Sequence, residues 1–277
     1  MFAYYHDEKA SIIFDSLNSS AIELYPELKK SNSNSNLTDS KNYSDANIVW
    51  RYDEERKRLM LPNIEREYKS VPLNFVNFPL TRELALEYHL LKELPEQLLL
   101  LKNIYGIVLT GNEFSFIPEI LYRCTSLKAI EITTNKLKQF PSMGIPQLEA
   151  LDVSNNEIKN LKGIGNFISL KTIFARNCSL KSIDKDIQKL TQCEIIDFSN
   201  NEIENLPLEM IHMKSLKELR IRGNKITHLP EFLGDMPFLE RIEAGGNLIP
   251  NENKGRLVQI LKQKNPKLQV DFKNDKR

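Results

Sequence analysis

The sequence predicts an α/β solenoid, a stack of about eight short units with one parallel sheet along one face and a cap at each end. Three observations predict it. Apolar residues recur in fixed columns with a step of 21 to 23 residues, in units opening at Thr81, Ile104, Leu127, Leu148, Leu170, Cys193, Leu216 and Leu239. Asparagine holds the ninth place in six of these eight units, and proline follows the fourteenth place in five. A unit this short cannot bury its own apolar face, whereas a stack of them buries a continuous core.

Each column has a physical reason. The fourth place is Leu84, Ile107, Ile130, Leu151, Ile173, Ile196, Leu219 and Ile242, and the sixth is Leu86, Leu109, Ile132, Val153, Ala175, Phe198, Ile221 and Ala244. This alternation predicts a strand with one buried face. The ninth place is Asn112, Asn135, Asn156, Asn201, Asn224 and Asn247. An amide both donates and accepts, so it can satisfy backbone groups where the strand turns away. His89 and Cys178 take that place in the other two units, which predicts a divergent first repeat and a weaker turn at Cys178. Pro95, Pro118, Pro141, Pro207 and Pro230 fix φ and remove a donor, so the return leg is expected to be extended or a short tight helix.

The pattern L-x-x-L-x-L-x-x-N-x-L-x-x-L-P, clearest from Leu216 to Pro230, resembles the leucine-rich repeat family over about residues 81–250. The resemblance implies a curved horseshoe with a concave parallel sheet, and a module that binds other proteins. The L-P-x-x-L return legs resemble intracellular members, including small-GTPase-binding scaffolds and effectors that bacteria such as Legionella deliver into host cells. The Lys- and Asn-rich composition leans toward an effector acting on a host protein. The 21- and 22-residue units at Leu127 and Leu148 also resemble the phosphatase-regulatory type, and a structural, self-associating protein is a further alternative. Some secreted bacterial members carry a ubiquitin ligase domain with a catalytic cysteine after the repeats. Residues 251–277 contain no cysteine, so that activity is not expected here.

Ahead of the repeats, residues 1–80 read as an N-terminal cap region. Apolar residues across 10–28 suit one or two short helices. The polar, low-complexity stretch 31–46 reads as a loop or linker, because it buries too little apolar area to offset ordering entropy. Residues 47–61 predict two strands around a charged turn. Val71-Pro72 stands 23 residues before Leu94-Pro95, which points to a degenerate repeat beginning near Arg58. After the repeats, 251–277 reads as a helix followed by a strand, capping the last open core.

The chain has 277 residues with 38 basic and 37 acidic side chains, a net charge of +1, which argues against a nucleic-acid partner. Its longest apolar runs are too short to span a bilayer, and no secretory signal is visible, so no membrane insertion is expected. Cys124, Cys178 and Cys193 are scattered and read as buried small residues in a reducing, cytoplasmic compartment, either the producer's own or a host's. The four histidines are dispersed, and no nucleotide-binding, hydrolase or metalloprotease motif occurs. The chain is therefore expected to be non-enzymatic, to hold no cofactor or metal, and to be a monomer.

Function is expected on the concave strand face, in the third, fifth and seventh places. There Phe174 and Ile195 are expected to be exposed near the middle, flanked by Glu131, Asp152 and Asp197, with Arg176, Arg220 and Arg222 toward the C-terminal side. Exposed apolar groups among arginines and carboxylates have the composition of an interface hot spot. Gly106, Ala129, Ala150, Thr110, Thr133 and Ser154 are expected to leave a shallow trough. Concave carboxylates are expected to lie on an open ladder, without raised pKa values.

Overall fold

The computed structural model describes residues 43–45, 48–62 and 68–273. The short helices expected across residues 10–28 lie outside the described residues. Among the described residues, twelve strands form one sheet whose spatial order follows the chain. β1 (Tyr43–Asp45), β2 (Ile48–Asp53) and β3 (Arg58–Met60) pair antiparallel. The eight units then contribute β4 (Glu83–Ala85), β5 (Gly106–Val108), β6 (Ala129–Glu131), β7 (Ala150–Asp152), β8 (Thr172–Phe174), β9 (Ile195–Asp197), β10 (Glu218–Arg220) and β11 (Arg241–Glu243). From β3 onward every pairing is parallel, and β12 (Gln269–Asp271) closes the far edge. This is the predicted α/β solenoid with a single, mostly parallel sheet.

Each strand covers places three to five of its unit, and the register sets like place against like, as in Ile107↔Ile130 and Ile173↔Ile196. The fourth-place column is thereby stacked inside the array, and none of its eight side chains is more than 1% exposed. Burying one such side chain contributes about 1.5–3 kcal/mol, so the column is a main source of the array's stability.

The asparagine ladder joins each unit to the one before it. Asn201 Nδ2 donates to Ala175 O at 2.7 Å and to Phe198 O at 2.9 Å, while its Oδ1 accepts from Cys178 N at 2.9 Å and Leu180 N at 3.0 Å. Asn112, Asn135, Asn156, Asn224 and Asn247 repeat the pattern, each donating to a sixth-place carbonyl and accepting from an eleventh-place amide of the preceding unit. At the two departures the donor half of this role persists. The Cys178 thiol reaches Val153 O at 3.3 Å, and His89 Nε2 lies 3.2 Å from Leu61 O. A thiol is a poor acceptor, and the adjoining bond shifts accordingly. Lys181 N meets Lys159 O at 3.3 Å, where the next unit has Glu202 N on Leu180 O at 2.8 Å.

Most return legs contain a short 3-10 turn, whereas the leg after Pro141 contains none. Prolines 95, 118, 207 and 230, with φ between −57° and −75°, each precede a five-residue turn. Where the proline is missing, other chemistry starts the turn. Asp184 accepts from Asp186 N at 2.9 Å, and Gly163 adopts φ 98° ahead of Ile164–Asn166. A Cβ on Gly163 would also stand 2.6 Å from Pro141 O, so only glycine fits that left-handed, crowded position.

At the N-terminal end, β3 pairs in parallel with β4, and the 3-10 turn Leu73–Asn77 follows Pro72 as Glu96–Leu100 follows Pro95. Trp50 is fully buried, donates from Nε1 to Asn74 Oδ1 at 2.6 Å and meets Phe75 edge-on at 6.2 Å. One expectation needs correction: Tyr43–Asp45, the tail of the stretch read as a loop or linker, forms β1 against β2. The ladder of backbone partners offered by β2 outweighs local composition there. At the other end, α1 (Asn251–Lys264) lies over the turn Glu231–Asp235 with Leu261 buried, and β12 follows it.

Candidate protein-binding face

Third, fifth and seventh places project on the side of the sheet opposite the stacked core column. The register aligns the fifth place as Glu131↔Asp152↔Phe174↔Asp197↔Arg220↔Glu243. The structure therefore brings Glu131, Asp152, Phe174, Asp197 and Arg220 into one row, with Ile195, Arg176 and Arg222 in the rows on either side.

The expected exposure of that row is corrected. Phe174 is only 3% exposed. It forms a small second apolar cluster with buried Ala129 and Ala150, against which Tyr105 and Ile195 pack. The Arg176 guanidinium covers the ring at 5.8 Å from its centre, a cation–π contact. Small side chains on β6 and β7 leave room for an aromatic ring, so the predicted trough is occupied by the protein's own residues. Its small polar members are also engaged, with Thr110 Oγ1 on Glu131 Oε1 at 2.8 Å and on Thr133 Oγ1 at 3.0 Å, and Arg176 N on Ser154 Oγ at 3.0 Å.

The carboxylates are not an open ladder either. Glu131, Asp152 and Asp197 are 5%, 1% and 5% exposed. Burial, then the neighbouring Asp152 charge, push Glu131 up to about 8. Burial raises Asp152 to about 6 against the opposing hydrogen bonds from Ser154. Thr110, Phe174 and Arg176 exclude the water that would keep Glu131 and Asp152 in the ordinary carboxylate range.

The arginines on the C-terminal side are tied into ion pairs. Asp197 lies between Arg176 at 4.0 Å and Arg220 at 3.8 Å. Arg220 meets Glu218 at 2.9 Å, and Arg241 meets Glu243 at 2.6 Å. Arg222 contacts Glu243 at 2.8 Å, Asp271 at 2.7 Å and Lys273 O at 2.7 Å, linking β12 to the array. Across β9 to β11 several concave side chains keep partial or full exposure: Ile195, Glu218, Arg220, Arg241 and Glu243.

A second ladder was legible in the sequence but absent from the expectations. The second place alternates in sign as Lys128, Glu149, Lys171, Glu194, Lys217 and Glu240. Glu149 pairs with Lys128 at 3.0 Å and Lys171 at 2.8 Å, and Lys217 pairs with Glu194 at 2.7 Å. It runs along one rim of the sheet, where strand spacing sets successive units side by side.

Among the described residues, no group of three or more His, Cys, Asp or Glu is placed to hold a metal ion, and no helix is long and apolar enough to cross a membrane. The three cysteines are buried and unbridged, and burial pushes Cys124 up to about 11 and Cys178 and Cys193 up to about 12. None presents a thiolate at neutral pH.

Comparison with known proteins agrees with the geometry. Residues 215–236 match the leucine-rich repeat family. Toll-like receptor 2 of Ovis aries is 28% identical over 174 residues, 61% of this chain and 19% of that protein. An adenylate cyclase of Podospora anserina is 30% identical over 223 residues, 70% of this chain and 10% of that protein. The chain thus spans a fifth or less of the length of these relatives. Among solved structures, a Leptospira interrogans leucine-rich repeat protein is 22% identical with a TM-score of 0.59, covering 76% of this chain and 60% of its own. Internalin C2 of Listeria monocytogenes is 20% identical with a TM-score of 0.59, covering 73% and 84%. The ectodomain of the plant receptor kinase GASSHO1/SCHENGEN3 from Arabidopsis thaliana, in complex with Casparian strip integrity factor 2, is 19% identical with a TM-score of 0.53, covering 73% and 25%. Nothing in these comparisons bears on the Legionella likeness. The repeat frame, the parallel sheet and the asparagine ladder, together with these likenesses, place the chain among the leucine-rich repeat proteins, a family of protein-interaction modules.

Proposed function

We propose that this chain is a non-enzymatic protein-binding module whose partner contacts the concave face across β9 to β11. The observation that carries this reading is the change in exposure along the sheet. From Gly106 to Thr172 the third-place residues are buried, whereas Ile195, Glu218 and Arg241 in the same column are not. The Arg241 side chain is 47% exposed and the Arg220 side chain 20%. A half-covered aliphatic group beside arginines fits the anatomy of a protein interface. The contact centre expected at Phe174 therefore moves two strands toward the C-terminus.

The partner reading extends to a bacterial effector acting on a host protein, supported by the Lys- and Asn-rich composition and by the bacterial origin of two of the structural likenesses. Buried, unbridged cysteines fit a cytoplasmic setting. Capture from bacterial and eukaryotic lysates, with wild type beside an Ile195→Asp/Arg241→Glu variant, tests both steps. A stoichiometric eukaryotic protein lost with the variant supports the whole reading, and a bacterial one overturns the effector step. An unchanged set of captured proteins on a folded variant overturns the assignment to β9–β11.

A further inference from the structure

We propose that Glu131 and Asp152 hold a single proton between them and form a pH-sensitive element in the middle of the concave sheet. The register sets the two residues directly opposite each other on β6 and β7, where adjacent strands run about 4.8 Å apart. Both are buried. One oxygen of each is already engaged, Glu131 Oε1 by the Thr110 hydroxyl at 2.8 Å and Asp152 Oδ1 by Ser154 N at 2.8 Å. Asp152 Oδ2 is buried and accepts no hydrogen bond among the described residues. A bare carboxylate oxygen in such a place costs several kcal/mol. A proton on the free oxygen of Glu131 turns it into a donor and supplies the bond that Asp152 Oδ2 lacks.

The surrounding charges do not replace that proton. Glu87 and Arg58 act on Glu131 from the N-terminal side, and Arg58 is paired with Glu83 at 3.1 Å and Glu87 at 3.5 Å. Arg176 and Asp197 act on Asp152 from β8 and β9, and Arg176 also pairs with Asp197 and covers Phe174. The Cys178 thiol is neutral, and the Thr110 and Thr133 hydroxyls do not titrate. One proton between two carboxyls leaves a single negative charge, which Arg176 faces. Loss of that proton to solvent leaves two buried like charges across one strand pair. The repulsion is relieved by parting β6 from β7 or by lifting the Phe174–Arg176 cover.

Carboxyl-carbon NMR of the uniformly labelled protein through a pH titration tests this. Glu131 is expected to lose its proton on the alkaline side of neutrality, with the Asp152 resonance moving in the same step, as coupled groups do. In Asp152→Asn the like charge is gone and an amide donor replaces it, so the Glu131 midpoint is expected to fall by more than about one pH unit. Glu87→Gln removes the weaker of the two like charges that act on Glu131 and is expected to lower the midpoint by less than Asp152→Asn does. Both carboxyls titrating in the ordinary carboxylate range would overturn the proposal, as would an unmoved Glu131 midpoint in a folded Asp152→Asn. The wild-type titration decides the matter alone if that variant does not fold.

Discussion

Replacing Asn201 with alanine should destabilise the array far more than a surface substitution does, because one amide closes the joint between two units. In the wild type Asn201 is 7% exposed. It donates to Ala175 O and Phe198 O, and accepts from Cys178 N and Leu180 N. Alanine leaves those four backbone groups to find water in a closed turn. A hydrogen-bonding group left buried and unmet costs about 1–3 kcal/mol. Partial entry of water at the half-open side reduces the sum, so a loss of about 3–5 kcal/mol is expected, with two of the four groups bearing most of it. Urea unfolding followed by circular dichroism measures it, with Glu204→Ala at an exposed position of the same unit as control. A loss below about 1 kcal/mol, or a loss equal to the control's, would refute the argument that the ninth-place amide is a joint. Cys178 sharpens the case. Its thiol keeps a donor contact to Val153 O but is a weak acceptor, so Cys178→Ala should cost less than Asn201→Ala.

Phe174→Ala should cost about 3 kcal/mol by emptying the space against Ala129 and Ala150, whereas Phe174→Leu should cost less than half of that, both read by the same unfolding assay. Glu149→Lys breaks the rim ladder at two ion pairs and should cost about 1 kcal/mol at low salt, shrinking at high salt; a salt-independent loss would contradict the electrostatic origin. Glu131 has its folded pKa raised from 4.5 to about 8, so folding favours its protonated form. Its stabilising contribution is therefore full below about pH 4.5 and is lost as pH rises to about 8, by no more than about 1.4 kcal/mol per pH unit. Glu131→Gln, which keeps the neutral shape, should gain stability relative to wild type across that window, seen as a Tm difference that widens with pH; a pH-independent difference would contradict it. The three buried thiols should resist a disulfide reagent at pH 8 in the native protein and all react in denaturant.

The repeat frame was legible because each column answers to one cause. Fourth-place residues such as Ile130 and Ile173 are set by the register, asparagines such as Asn224 by the turn, and prolines such as Pro230 by the return leg. Even the substitutes kept their column's task, as His89 Nε2 beside Leu61 O shows. The concave face was less legible. The frame says that Phe174 and Asp152 point away from the stacked core, but not that neighbours on the same face cover them. That depends on side chains one and two strands away. Ala129 and Ala150 make the space, and Arg176 closes it. The small-residue run and the aromatic were both visible in the sequence, and their adjacency follows from the register. Their combination, read as packing instead of as a trough beside a hot spot, was the missing step. The same cover dries Glu131 and Asp152, so the raised carboxyls were missed for the same reason. The alternating second-place charges from Lys128 to Glu240 needed only the step of the repeat to be seen.

Hydrogen exchange of this chain, alone and bound to a captured partner, tests the central claim most directly. Contact across β9 to β11 predicts slowed exchange in the concave strands and following loops around Ile195, Glu218 and Arg241, with the 3-10 turns of the opposite side unchanged. Protection confined to those turns, to α1 or to the hairpin of β2 and β3 would contradict it.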